Sequence, residues 1–107
     1  MSMTQLAGQP RVLYDSGGWY VCTNGVVVSI SARVKTGSGS WDSVSCPYVL
    51  PQELRPKTVI NAPVATQNGG SITGVMFVNT DGTIAVGNQG GSGSDGTRMG
   101  SISYVVV

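Results

Sequence analysis

The side chains that could do chemistry in this 107-residue chain are few: five carboxylates (Asp15, Asp42, Glu53, Asp81 and Asp95), two cysteines (Cys22 and Cys46) and no histidine. Without an imidazole, the Ser-His-Asp and Cys-His pairs that activate a nucleophile cannot be built. Glycoside hydrolysis needs two carboxyl groups facing each other across a sugar. Asp81 is taken up by an Asp-Gly turn, Glu53 sits among prolines, and nothing in the spacing brings Asp15 to Asp42. The glycine-rich stretch Gly90–Gly96 lacks the Gly-Lys-Ser/Thr ending of a phosphate loop. Two thiols without a histidine do not make a zinc site, and no closely spaced oxygen ligands suggest calcium. The chain is therefore read as a non-enzyme without metal or cofactor.

What remains is binding chemistry. Trp41-Asp42 follows a Ser/Gly loop, and an aromatic ring beside a carboxylate suits a sugar: the ring stacks on C–H faces while the carboxylate accepts hydroxyl hydrogen bonds. Asn88, Asp95 and Arg98 border or occupy the polar Asn88–Arg98 loop and complete the candidate saccharide site. The competing reading is that the indoles of Trp41 and, still more, Trp19 pack in the core. Arg98 has two readings, a surface ligand contact or a partner for a carboxylate such as Glu53 across a subunit contact.

The elements that would position these residues are strands. Val26, Val28, Ile30, Ala32 and Val34 alternate with polar residues through Lys35, the period of a half-buried strand. Arg11–Tyr14, Trp19–Thr23, Trp41–Cys46, Thr58–Ala65 and Ile102–Val107 read as further strands. Pro63 removes a ladder donor, so its strand should lie at an edge or carry a bulge. The stretch Ile72–Gly87 is two apolar runs joined at Asp81-Gly82, which predicts a hairpin with a type I′ turn, as does Asn24-Gly25 earlier. A helical turn fits Gln52-Glu53-Leu54, stopped by Pro56. With seven to eight short strands and no helical periodicity, the fold class is all-β, an antiparallel β-sandwich or jelly roll. Residues 1–10 are expected to be a disordered start or the stub of a longer chain, and residues 11–107 a single head domain.

Charged residues are only 10% of the chain and its net charge is +1, which argues against nucleic acid and anionic membranes. No apolar run approaches the ~20 residues that span a bilayer. The start of the chain has no basic region followed by an apolar core, so no signal peptide is expected. That favours two buried thiols over a Cys22–Cys46 disulfide. The C-terminal Val105-Val106-Val107 is either a central strand or, if exposed, a surface that predicts a partner.

Three segments carry a family resemblance. Leu50-Pro51-Gln52-Glu53-Leu54-Arg55-Pro56 resembles the Leu-Pro-x-x-aromatic-Arg-Pro motif in the C-terminal domains of tail and baseplate proteins of phages of Gram-positive bacteria, with Leu54 where an aromatic is common. Val78–Ile84 is similar to the Asp-Gly hairpin of those domains, and Arg98–Tyr104 to their terminal strand. The resemblance implies a homotrimeric receptor-binding head at a virion tail tip, assembled in the host cytoplasm and binding a host cell-wall saccharide. It also implies that Arg55 holds the proline loop by backbone hydrogen bonds, and that Val105–Val107 lie near the threefold axis. Two rivals share the same composition: a structural virion module without a ligand, and a carbohydrate-binding module of a cell-wall hydrolase.

Overall fold

The computed structural model describes residues 10–36, 41–66, 72–88 and 97–106. They form eight strands: β1 (Arg11–Ser16), β2 (Trp19–Thr23), β3 (Val27–Lys35), β4 (Ser43–Ser45), β5 (Ile60–Thr66), β6 (Ile72–Val78), β7 (Ile84–Asn88) and β8 (Thr97–Val105). The only helical piece among the described residues is the expected short turn, a 3₁₀ helix at Gln52–Leu54. All pairings are antiparallel, in the order β1-β2-β3-β8-β5-β6-β7-β4. The all-β antiparallel expectation therefore holds. The strands lie in one continuous sheet, curled so that a sandwich-like core fills its concave side.

Hydrophobic alternation sets which face turns inward. On β3, Val28, Ile30, Ala32 and Val34 are buried between exposed or half-buried neighbours. Val26, expected on this face, lies in the preceding turn and is 37% exposed. Ile30 and Ile102 face each other across the β3–β8 pairing, and Trp19 and Ala32 across β2–β3. Val21, Val64, Met76, Val78, Ile84 and Val86 complete the core from the other strands. Each large aliphatic taken out of water there contributes roughly 1.5–3 kcal/mol. The two margins of the sheet meet where the rings of Tyr14, on β1, and Tyr48, just beyond β4, stack at 5.6 Å.

Pro63 shows how local chemistry bends this sheet. The β5–β6 pairing shifts register between Val64 and Ala65, immediately after the proline, and β5 pairs with β8 only at Ala65 and Thr66. The bulge lets β5 leave β8, and the strands splay toward Ile60 and Val105. Cys22 and Cys46 are free thiols, and burial pushes the Cys46 thiol above its ordinary pKa.

The β6–β7 hairpin forms where expected, but with a different turn. Asp81 does not take positive φ; only Gly82 does, at +90°. Gly82 N–H donates to Asn79 O at 3.0 Å and Asn79 N–H to Thr83 O at 2.9 Å, so Thr80-Asp81-Gly82 form a three-residue loop ending in a left-handed glycine. The Asp81 carboxylate accepts from the Thr83 hydroxyl at 2.6 Å and the Thr83 N–H at 3.0 Å. Those bonds, the hydroxyl's first, hold its pKa below the ordinary carboxylate range. The Asn24-Gly25 turn departs from type I′ in the same way. Only Gly25 has positive φ, and the Asn24 carboxamide oxygen instead accepts from the N–H groups of Val26 and Val27.

The hairpin tip locks onto the proline loop. Leu50 N–H donates to Gly82 O at 3.0 Å, and Arg55 Nε–H donates to Leu50 O at 2.9 Å. Arg55 thus bonds the loop's backbone in the manner the resemblance implies. The Tyr104 hydroxyl, on β8, donates to Leu54 O at 2.6 Å and fixes the other side of the loop. Burial pushes the Tyr104 pKa from 10.0 up to about 12. The native state resists ionising this phenol, so its contribution to stability is complete below pH 10 and is lost as pH rises through about 12. Thermal melts across that range are expected to show a steep alkaline decline that Tyr104→Phe flattens; a variant with the same decline would remove Tyr104 as its source.

Candidate functional site

Register brings a set of strand ends to one end of the sheet. Lys35 pairs with Thr97, Ser43 with Gly87, Gly74 with Asn88 and Thr66 with Arg98. The ends of β3, β5 and β7 and the starts of β4, β6 and β8 therefore lie together. The candidate residues Trp41, Asp42, Asn88 and Arg98 all belong to this end. Asp95 lies outside the described residues.

These residues form two layers. Trp41 and Asp42 are on the surface, just before β4. The strand expected over Trp41–Cys46 is shorter, Ser43–Ser45, because the chain turns at Trp41 with φ +64°. That left-handed conformation is uncommon for a bulky residue and costs on the order of 1–3 kcal/mol. It is joined to 73% exposure of the indole, so Trp41 is not a core residue. Trp19, by contrast, is 3% exposed and belongs to the core.

Asn88 and Arg98 stand behind this surface, which corrects their assignment as direct ligand contacts. Asn88 is 3% exposed and Arg98 fully buried, so neither can meet a ligand on the surface as it stands. Asn88 faces inward at the end of β7, where its N–H donates to Asp42 O at 2.7 Å and its carboxamide oxygen accepts from the buried Thr36 hydroxyl. One side chain with its backbone thus joins the end of β3, the end of β7 and the segment carrying Trp41. Arg98 lies on β8 opposite Val34 on one side and Thr66 on the other, and it is engaged with neighbours. Glu53 is exposed on the proline loop at the other end of the sheet, so the two do not pair within one chain.

Thr36 joins the site through Asn88 without a clear mark in the sequence. It lies next to a Gly/Ser run, and a threonine there reads as loop filler. The weak signal was its place one residue beyond the alternating apolar face of β3, on the face that carries Val34.

The arrangement offers a rigid, buried hydrogen-bonded base with an exposed ring and a carboxylate above it. Such a surface can stack on and hydrogen-bond to a polyhydroxylated ligand. No group of three or more His, Cys, Asp or Glu side chains placed to hold a metal is found among the described residues. No helix of the described residues is long and apolar enough to cross a membrane.

Fold and site together define a small antiparallel β domain presenting a loop-borne aromatic at one end. Comparison with known proteins adds no relative: no family model and no curated protein matches the chain.

Proposed function

We propose that this is a phage adhesion domain, the receptor-binding head of a tail fibre or baseplate protein, and that it binds a host cell-wall saccharide at the end carrying Trp41. The observation that carries the saccharide reading is Trp41 itself. A large aromatic held in a strained backbone conformation and 73% exposed gains little from packing, and such strain is characteristic of functional sites. Asp42 beside it supplies a carboxylate, and its backbone is fixed by Asn88. The Asn88–Asp42 bond fixes the backbone beside the ring before a ligand arrives, which lowers the ordering cost of binding. The phage assignment rests on the proline-loop, hairpin and terminal-strand motifs, and the Arg55–Leu50 bond supports the structural part of that resemblance.

The test is binding to purified cell-wall saccharides from a panel of Gram-positive bacteria, with wild type and Trp41→Ala side by side. Loss of the stacking surface is expected to weaken binding by about tenfold or more without lowering the melting temperature. Equal binding by the variant would remove Trp41 from the site. Absence of any saccharide binding, with virions lacking the domain still adsorbing normally, would favour a structural virion module. In the homotrimer of this reading, light scattering should give three times the 11.0 kDa chain mass.

A further inference from the structure

At the end of the sheet opposite Trp41, the splay of β5 from β8 leaves a groove of about 490 Å³. That is within the range of roughly 300–1,000 Å³ typical of small-molecule sites. Its apolar floor is formed by Ile60, Val105 and Val106, with Pro56 at one side. Its rim carries two cations, Arg55 and Lys57, against one carboxylate, Glu53. The walls are fixed. The Tyr104 hydroxyl ties β8 to the proline loop through Leu54 O, and Arg55 Nε–H is committed to Leu50 O, which orients the guanidinium. Neither the groove nor these residues take part in the Trp41 surface.

We propose that this groove is a second binding site, for a small organic oxyanion with a compact apolar body. The anion would meet the guanidinium of Arg55 and the ammonium of Lys57, and the hydrocarbon would rest on Ile60, Val105 and Val106. Charge complementarity selects this occupant. A neutral apolar ligand would leave the Lys57 ammonium and the part of the Arg55 guanidinium not bonded to Leu50 O without an anion in the groove, and a free inorganic anion would leave the floor bare. Arginine suits the role because its planar fork can grip a carboxylate or phosphate with two parallel N–H bonds, and fixing one edge of the fork reduces the freedom lost on binding. Val105, 58% exposed on β8, is part of this floor, and in this proposal its apolar side chain meets the ligand and not the threefold axis that the resemblance implies.

The experiment is an NMR titration of the intact chain with three probes: isovalerate, its neutral amide isovaleramide, and inorganic phosphate. Isovalerate is expected to shift the amide resonances of Arg55, Lys57, Val105 and Val106, saturating in the millimolar range. Phosphate should shift mainly Arg55 and Lys57 and bind more weakly, and isovaleramide should bind least. Val105→Glu, a change at an exposed position that leaves the core untouched, should abolish the isovalerate shifts. Lys57→Gln should weaken them roughly threefold, as for a solvent-exposed ion pair. Trp41→Ala should leave them unchanged, which separates this site from the saccharide reading. Equal shifts with the amide, no shifts at these residues, or full retention in Val105→Glu would overturn the proposal. So would concentration-dependent broadening of the groove resonances without ligand, which would give the groove to a second copy of the chain.

Discussion

Gly18→Ala is expected to lower the melting temperature by more than about 15 °C, corresponding to roughly 3–5 kcal/mol in a domain of this size. Gly18 has φ +91°, a conformation that costs an L side chain about 1–2 kcal/mol. The larger effect is steric. A Cβ at this position would sit 2.2 Å from Arg33 O, a backbone atom that cannot swing aside. The β2–β3 pairing holds it there, since Arg33 N–H donates to Gly18 O at 2.8 Å. Relief would require pulling the β1–β2 turn off β3 and would disturb Trp19 and Val34 beneath it. The neighbouring glycine provides the control. Gly17 has φ +63° but nothing within 4 Å of a Cβ, so Gly17→Ala should cost only about 1 kcal/mol. Similar losses from the two changes in chemical denaturation would mean that the approach of Arg33 to Gly18 is not a constraint on the fold.

Leu50→Ala is expected to cost about 3–5 kcal/mol, at the upper end of large-to-small core changes. Leu50 is fully buried between the hairpin tip and the sheet, and its backbone joins both Gly82 and Arg55. Truncation leaves a cavity that cannot collapse easily, because the backbone on either side is held by hydrogen bonds. The loss should also reach the proline loop, so amide exchange at Leu54 and Arg55 should accelerate beyond the global loss of stability. A denaturation midpoint close to wild type would show that the loop is an appendage and not a wall of the core.

The parts of this fold that could be read from sequence are those written in local chemistry. The alternation on β3, the choice between an edge and a bulge that Pro63 forces, the short turn at Gln52–Leu54 and the Asp81-Gly82 hairpin all follow from side-chain type at fixed spacing. The turn type differs from the expected type I′ because Asp-Gly alone does not separate a two-residue loop from a three-residue loop closed by glycine. Asn79 and Thr83, which bond each other across the tip, were the distinguishing residues. Long-range pairings were not legible: nothing local places β8 between β3 and β5, or β4 beside β7.

The candidate site was legible as a set of residue types. Its layering was not. Asn88 and Arg98 are buried because of where β7 and β8 sit in the sheet, a consequence of strand order that no spacing reveals. For Trp41 the residue type fits both core and surface, and its left-handed φ and exposure, invisible in sequence, put it on the surface. The groove between Arg55 and Val105 joins residues fifty positions apart, and it lies where the Ile60 end of β5 is not paired with β8, whose pairing with β5 is confined to Ala65 and Thr66.

The central claim is that Trp41 meets the saccharide, and intrinsic fluorescence tests it most directly. The chain has two tryptophans, one 3% and one 73% exposed, so quenching by acrylamide reports mainly on Trp41. Titration with a bound cell-wall saccharide should shift the emission to shorter wavelength and protect it from the quencher, and Trp41→Phe should remove the protection. Saccharide binding seen by calorimetry with unchanged quenching of Trp41 would contradict the account.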